Sequence, residues 1–228
     1  MMLKRLCLLG LVLVFTGITH ASDVLRVLDL QITSGESVTL NIELNNTTTN
    51  LMGFQCDINL LEGLSLELRA NGRPAATLGE RFATTEHSIA SSCLANGDYR
   101  FIATSMDGEA IPGTTGTLFS VILKADASLI PGTELTGTIK NIEFNTQDNQ
   151  KLTFDNTSFV ISVERPLMLG DANNDGSVTI ADAVAVVNYI LTNGSPTGNF
   201  VFKAANMDGD EGITIADAIA IVNIILSE

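Results

Sequence analysis

Asp171, Asn173 and Asp175 alternate in a stretch reading Asp171-Ala-Asn-Asn-Asp-Gly-Ser-Val-Thr-Ile-Ala-Asp182. Oxygen donors at every second residue of a tight loop are what a hard cation such as calcium collects, six to eight at a time. Asp171, Asn173 and Asp175 supply side-chain oxygens at loop positions one, three and five, and Gly176 permits the sharp turn. Ser177 offers its backbone carbonyl, Thr179 contributes directly or through water, and Asp182 closes the ring at position twelve. Asp182 also begins a helix, where the positive end of the dipole favours a carboxylate.

The pattern returns 35 residues later, from Asn206 to Leu226, and the motif Thr-Ile-Ala-Asp-Ala is identical in the two copies. Asn206, Asp208, Asp210, the Gly212 carbonyl, Thr214 and Asp217 occupy the corresponding positions. Two departures weaken this loop: an amide replaces a carboxylate at position one, and Glu211-Gly212 stands where glycine and then any residue is usual. A single Asp/Asn-rich run can be an ordinary turn. Two copies, each with an aspartate at position twelve and an apolar helix after it, point to two calcium sites.

These two stretches resemble the type I dockerin family over Gly170–Glu228. Like that family they lack the entering helix of a full EF-hand, because Leu167–Gly170 is too short to form one. The resemblance implies a module of two loop–helix repeats that calcium folds and that grips a cohesin domain. It places recognition at loop positions ten and eleven and on the helix beyond, here Ile180, Ala181 and Asn188, and Ile215, Ala216 and Asn223. The Ser/Thr pair and basic residues usual there are missing, so the implied partner surface is more apolar, and either of two near-identical faces can serve. Helix packing competes for the same surface. Val184, Val187, Leu191, Ile219, Val222 and Leu226 have the spacing of a core stripe and are expected to be core, while Ile180 and Ile215 fit core and interface equally.

The elements that must carry this module precede it. From Asp23 to Val163 the chain alternates apolar and polar residues with period two between turn signals, as half-buried strands do. Val24–Ile32 reads as one strand, and Ser37–Leu44 and Gly53–Leu60 follow. Asn96-Gly97-Asp98 is a hairpin signal. Thr117–Ala125 is continuously apolar enough to be central, and Leu135–Phe144 and Ser158–Val163 close the series. Many short strands and no amphipathic helix indicate an antiparallel β-sandwich. The run Gly53-Phe-Gln-Cys-Asp-Ile-Asn-Leu60, with Ser105–Ile111 and Gly116–Lys124, resembles a cohesin domain over Asp23–Val163. That resemblance implies a jelly-roll sandwich related to carbohydrate-binding modules, so the expected class is mainly β with a small α domain.

The chain has 228 residues, 45% of them hydrophobic, and a formal charge of −14. Residues 167–228 hold eight acids against Lys203 alone, which rules against nucleic-acid binding and calls for cations. Lys4-Arg5, the apolar run Leu6–Thr19 and Thr19-His20-Ala21 read as an export signal at residues 1–21. The run is shorter than the roughly 20 residues of a spanning helix, so a membrane anchor is the lesser alternative. The expected division is 1–21 signal, 22–164 sandwich and 165–228 calcium module, secreted to an extracellular or periplasmic location, with attachment at the cell surface as an option.

Export leaves Cys56 and Cys93, which either pair in an oxidising compartment or stay as buried thiols. It also leaves His87 as the sole histidine, which argues against zinc or Ser–His chemistry. The expected function is a non-catalytic adaptor whose partner is a cohesin-like or dockerin-like domain, this chain's own among the options. Polysaccharide binding is the alternative reading. Against it, tryptophan is absent, Tyr99 is the only tyrosine of the β region, and the phenylalanines hold core-like positions, which leaves no platform for stacking sugar rings. Acids such as Glu62, Glu80, Glu86 and Asp107 lie in no motif, so the chain is not expected to be an enzyme.

Overall fold

The computed structural model describes residues 23–196 and 198–227, and the export-signal expectation lies outside them. The stretch expected as one strand is two: β1 (Val24–Arg26) and β2 (Leu30–Thr33), which belong to different sheets. Leu25 and Val27 point inward with period two, and the alternation then breaks at Leu28-Asp29-Leu30 before Ile32 turns in. That break is where the chain crosses between sheets. Its loose end is tied by Asp29, whose Oδ1 accepts from Val160 N at 2.7 Å.

Next come β3 (Ser37–Asn45), β4 (Leu51–Asn59), the short β5 (Leu64–Leu66) and β6 (Ala76–Leu78), and a 3-10 turn at Glu80–Phe82. Then follow β7 (His87–Cys93), β8 (Tyr99–Ser105), β9 (Thr117–Ala125), β10 (Glu134–Thr146), β11 (Lys151–Phe154) and β12 (Thr157–Glu164). One sheet runs β1-β3-β9-β5, with β6 also on β9, and the other runs β2-β12-β10-β4-β8-β7, with β11 also on β10. Pairing is antiparallel except between β12 and β2, which are parallel. The expected hairpin joins β7 to β8, with Gly97 at φ +87° where a side chain would be strained. The expected central strand is β9, which pairs with β3, β5 and β6.

The sandwich holds together because aromatic rings from both sheets meet between them. Phe119 of β9 stacks on Phe54 of β4 at 5.5 Å and lies 4.9 Å from Phe101 of β8. Six of the seven phenylalanines of this region are buried, and Phe154 is half-buried. Each buried ring contributes roughly 1.5–3 kcal/mol of transfer free energy, so the phenylalanines build the core and offer no flat sugar platform.

The disulfide alternative is not formed: Cys56 and Cys93 are both free, the first buried and the second exposed. Cys56 on β4 faces the core, while Cys93 ends β7, and β8 lies between those strands. Two strand spacings of roughly 4.8 Å already exceed the ~7 Å limit on Cα separation for a disulfide. Burial, aided by the neighbouring Asp57 charge, pushes the Cys56 thiol far above its ordinary pKa. It behaves as a small hydrophobe.

Beyond a short junction the chain turns helical, with α1 (Ile180–Leu191), α2 (Phe202–Ala205) and α3 (Ile215–Ser227). The repeat predicts α1 and α3, and α2 is additional. It is a single turn docked on the first loop, where Gly170 N donates to Ala204 O and Val201 N to Ala172 O, each at 2.9 Å.

Candidate metal and docking site

Each loop is built around the aspartate at its twelfth position. Thr179 caps α1 in extended conformation, and its hydroxyl accepts from Ala181 N at 3.3 Å. The Asp182 carboxylate reaches back to accept from Thr179 N at 2.8 Å, completing a capping box. Its other oxygen accepts from Asn173 N at 3.0 Å. One buried carboxylate thus pins the helix start to the loop entry. The second loop repeats the device: Asp217 accepts from Thr214 N at 2.8 Å and from Met207 N at 2.7 Å, and Thr214 Oγ1 accepts from Ala216 N. Burial works to raise the Asp217 carboxyl, but amide donors at Thr214, Met207 and Asp208 outweigh it and hold the group below the usual carboxylate value.

The remaining expected ligands gather on each loop. In the first, Asp171 is buried, and its two oxygens accept from Asp175 N at 3.0 Å and Gly176 N at 2.8 Å. Asn173 Oδ1 also accepts from Asp175 N, and Asp175 Oδ1 accepts from Ser177 N. In the second, Asn206 Oδ1 accepts from Gly209 N at 2.7 Å while its Nδ2 donates to Asp210 O at 2.6 Å. Asp208 and Asp210 accept from Asp210 N and Gly212 N. An amide has one oxygen to give where a carboxylate has two, so the departure at position one carries through to the geometry. Gly209, with φ +74°, matches the left-handed Asn174, φ +59°, at position four of the first loop, while the second left-handed turn there, Gly176 at φ +94°, has no counterpart at Glu211.

Among the described residues, no three histidine, cysteine, aspartate or glutamate side chains converge as a metal cluster by themselves. The loops instead mix carboxylate, amide, hydroxyl and carbonyl oxygens, which is the donor set calcium takes and zinc does not. The residues therefore fit a calcium ion in each loop.

The helices carry a second feature. Ile180, Ala183, Val184 and Val187 of α1 face Ile215, Ala218, Ile219 and Val222 of α3 across an apolar groove of about 370 Å³. Ile180, Val184, Ile215 and Ile219 are 63, 51, 60 and 55% exposed. This corrects the expected core stripe. Val184, Ile219, Leu191 and Leu226 are exposed, whereas Val187 and Val222 are half-buried, packing against the core as expected while also lining the groove. The module's small core is made by Ala172, Ala183, Val186, Ala205, Ala218 and Ile221. Both helices are apolar around much of their circumference, and so small a module cannot bury every apolar side.

Ala181, Asn188, Ala216 and Asn223 are all exposed. The expected equivalence of the two halves is broken on the first. Ala181 and Asn188 line a separate pocket of about 340 Å³ with Asn173, Pro196, Asn199 and Phe200. Phe200 stacks on Tyr189 of α1 at 4.5 Å, fixing that wall. Repeat alignment could not reveal it, because Pro196, Asn199 and Phe200 lie in the connection between the two aligned stretches.

The comparisons divide the chain in the same way. The dockerin type I domain model matches residues 169–226. A solved structure of the sixth cohesin from Acetivibrio cellulolyticus' scaffoldin B, in complex with a mutant Cel5 dockerin, covers 63% of this chain and 99% of its own. It is 11% identical, with a TM-score of 0.50. A non-cellulosomal cohesin from the hyperthermophilic archaeon Archaeoglobus fulgidus covers 62% and 91% at 14% identity, with a TM-score of 0.48. No curated protein matches the chain. Residues 169–226 are thus similar to a dockerin type I domain, and the sandwich before them has the fold of the solved cohesins.

Proposed function

We propose that this chain, a cohesin-fold sandwich joined to a dockerin type I module, is a non-catalytic secreted adaptor that docks another protein in a calcium-dependent way. The sandwich occupies residues 22–164 and the module 165–228. One calcium ion is held by Asp171, Asn173, Asp175, the Ser177 carbonyl, Thr179 and Asp182. A second is held by Asn206, Asp208, Asp210, the Gly212 carbonyl, Thr214 and Asp217. The metal would screen the loop carboxylates from one another and fix the two helices that form the groove.

One observation carries the docking role: a groove with four more than half-exposed β-branched residues on a strongly acidic module. Exposed apolar surface of this kind marks a contact site. Ala181, Asn188, Ala216 and Asn223, each exposed and next in sequence to a groove residue, add two small apolar and two amide side chains.

The test uses the full chain as bait on extracts of the cells that make it. Calcium-dependent capture of a sandwich-domain protein, lost in EDTA and in an Ile180→Asp/Ile215→Asp variant, is the expected result. Capture indifferent to EDTA and to the variant would sink the reading. Retention on polysaccharide gels without any such capture would support sugar binding instead.

A further inference from the structure

The first loop has a neighbour that its own sequence does not contain. Arg165, the first residue after β12, lays its guanidinium on Gly176 at position six of the loop. A Cβ built on that glycine would sit 1.5 Å from Arg165 Nη1 and 2.8 Å from its Cζ. Glycine is required there by its φ of +94°, and its missing side chain leaves the space in which the guanidinium sits. The Gly176 N–H beneath donates to Asp171 Oδ2 at 2.8 Å, so the peptide under the cation is the one that anchors the position-one carboxylate. Among the described residues Arg165 forms no ion pair of its own. Its charge therefore acts on the loop, which carries Asp171, Asp175 and Asp182. The second loop has no such seat, because position six there is Glu211, of opposite sign.

We infer that Arg165 sets the calcium affinity of the first loop, its fixed positive charge opposing the incoming dication. The inference rests on the calcium reading of the loops. Two like charges near one loop repel, and the repulsion falls on one site alone. Each loop offers three ligand carboxylates and one ligand amide, so the cation laid against the first alone weakens that site relative to the second. Because Arg165 follows directly on β12, the residue that tunes the metal site stands at the junction of the sandwich and the module.

Calorimetric titration of the full chain with calcium chloride tests this. Arg165→Gln, which keeps most of the size and removes the charge, raises the affinity of one of the two sites by about two- to fivefold, the range expected of an exposed charge. Arg165→Lys stays near the parent. The gain shrinks when ionic strength rises from 0.1 to 1 M, where the Debye length falls from about 10 to about 3 Å. Arg73→Gln, an equal change of net charge at an exposed residue of the sandwich, leaves both sites unchanged. An Arg165→Gln titration that matches the parent, or one that Arg73→Gln reproduces, overturns the inference while leaving the calcium sites standing. Absence of calcium binding by the parent chain overturns both.

Discussion

Asp57 and Asp98 show how much a single carboxylate can organise when its neighbours are placed for it. Both are about 1% exposed, Asp57 on β4 and Asp98 in the turn just before β8. Arg100 grips Asp57 with two bonds of 2.7 Å, and Asn141 adds a third at 2.8 Å from a bulge in β10 where its φ is +52°. Lys140 reaches Asp98 at 2.9 Å, and Asn59 donates to it at 2.8 Å. The bonds from Arg100 hold the Asp57 carboxyl below its ordinary value, against the opposing effect of burial. A carboxyl whose pKa is depressed on folding stabilises the fold fully above its unfolded value, about 4. That stabilisation is lost as pH falls from there through the folded value. Urea denaturation of Asp57→Asn is therefore expected to show a deficit of about 1–3 kcal/mol at pH 7, shrinking as pH drops below about 4. A deficit that stays constant with pH would remove the ion pair from the account.

At the scale of elements, α1 and α3 each present two apolar sides with different fates. Val186 is fully buried, while Ile180, six residues before it, is 63% exposed. Val186→Ala deletes buried methyl groups and is expected to cost about 1–3 kcal/mol in thermal or urea unfolding of the module. Ile180→Asp lies on the open groove and is expected to change stability by under about 0.5 kcal/mol while abolishing partner capture. If the two variants destabilised equally, the groove would be core and its docking role would fall. The apolar spacing of α1 is legible in the sequence, but which side is covered is not. That choice depends on α2, whose Ala204 and Ala205 are buried against the loop entry. No periodicity announces a helix of one turn.

The whole molecule joins a sandwich with its own aromatic core to a module held by a handful of small side chains. So small a core is marginal by itself, and the loops concentrate negative charge that metal would neutralise. Calcium bound only to the folded state adds about 2.7 kcal/mol per site at a hundredfold excess over Kd. Differential scanning calorimetry is then expected to show one transition that rises with calcium and falls in EDTA, and a second, from the sandwich, that does not move. A module transition indifferent to both additions would contradict the metal assignment.

Sequence by itself determined the two loops, their closing aspartates, the helices after them and the strand-rich class of the first two-thirds. These features are local: donor spacing, capping chemistry and period-two alternation are written within a dozen residues. Tertiary structure alone decided that Val24–Thr33 divides between two sheets, that β8 separates Cys56 from Cys93, and that the groove residues stay open. It alone brought Arg165 onto Gly176. Each of these depends on residues distant in the chain meeting, or failing to meet, and spacing along one segment carries no record of what another segment covers. The duplicated loops thus declare their chemistry in the sequence, while the fold supplies the cation laid against one of them and the apolar groove they support.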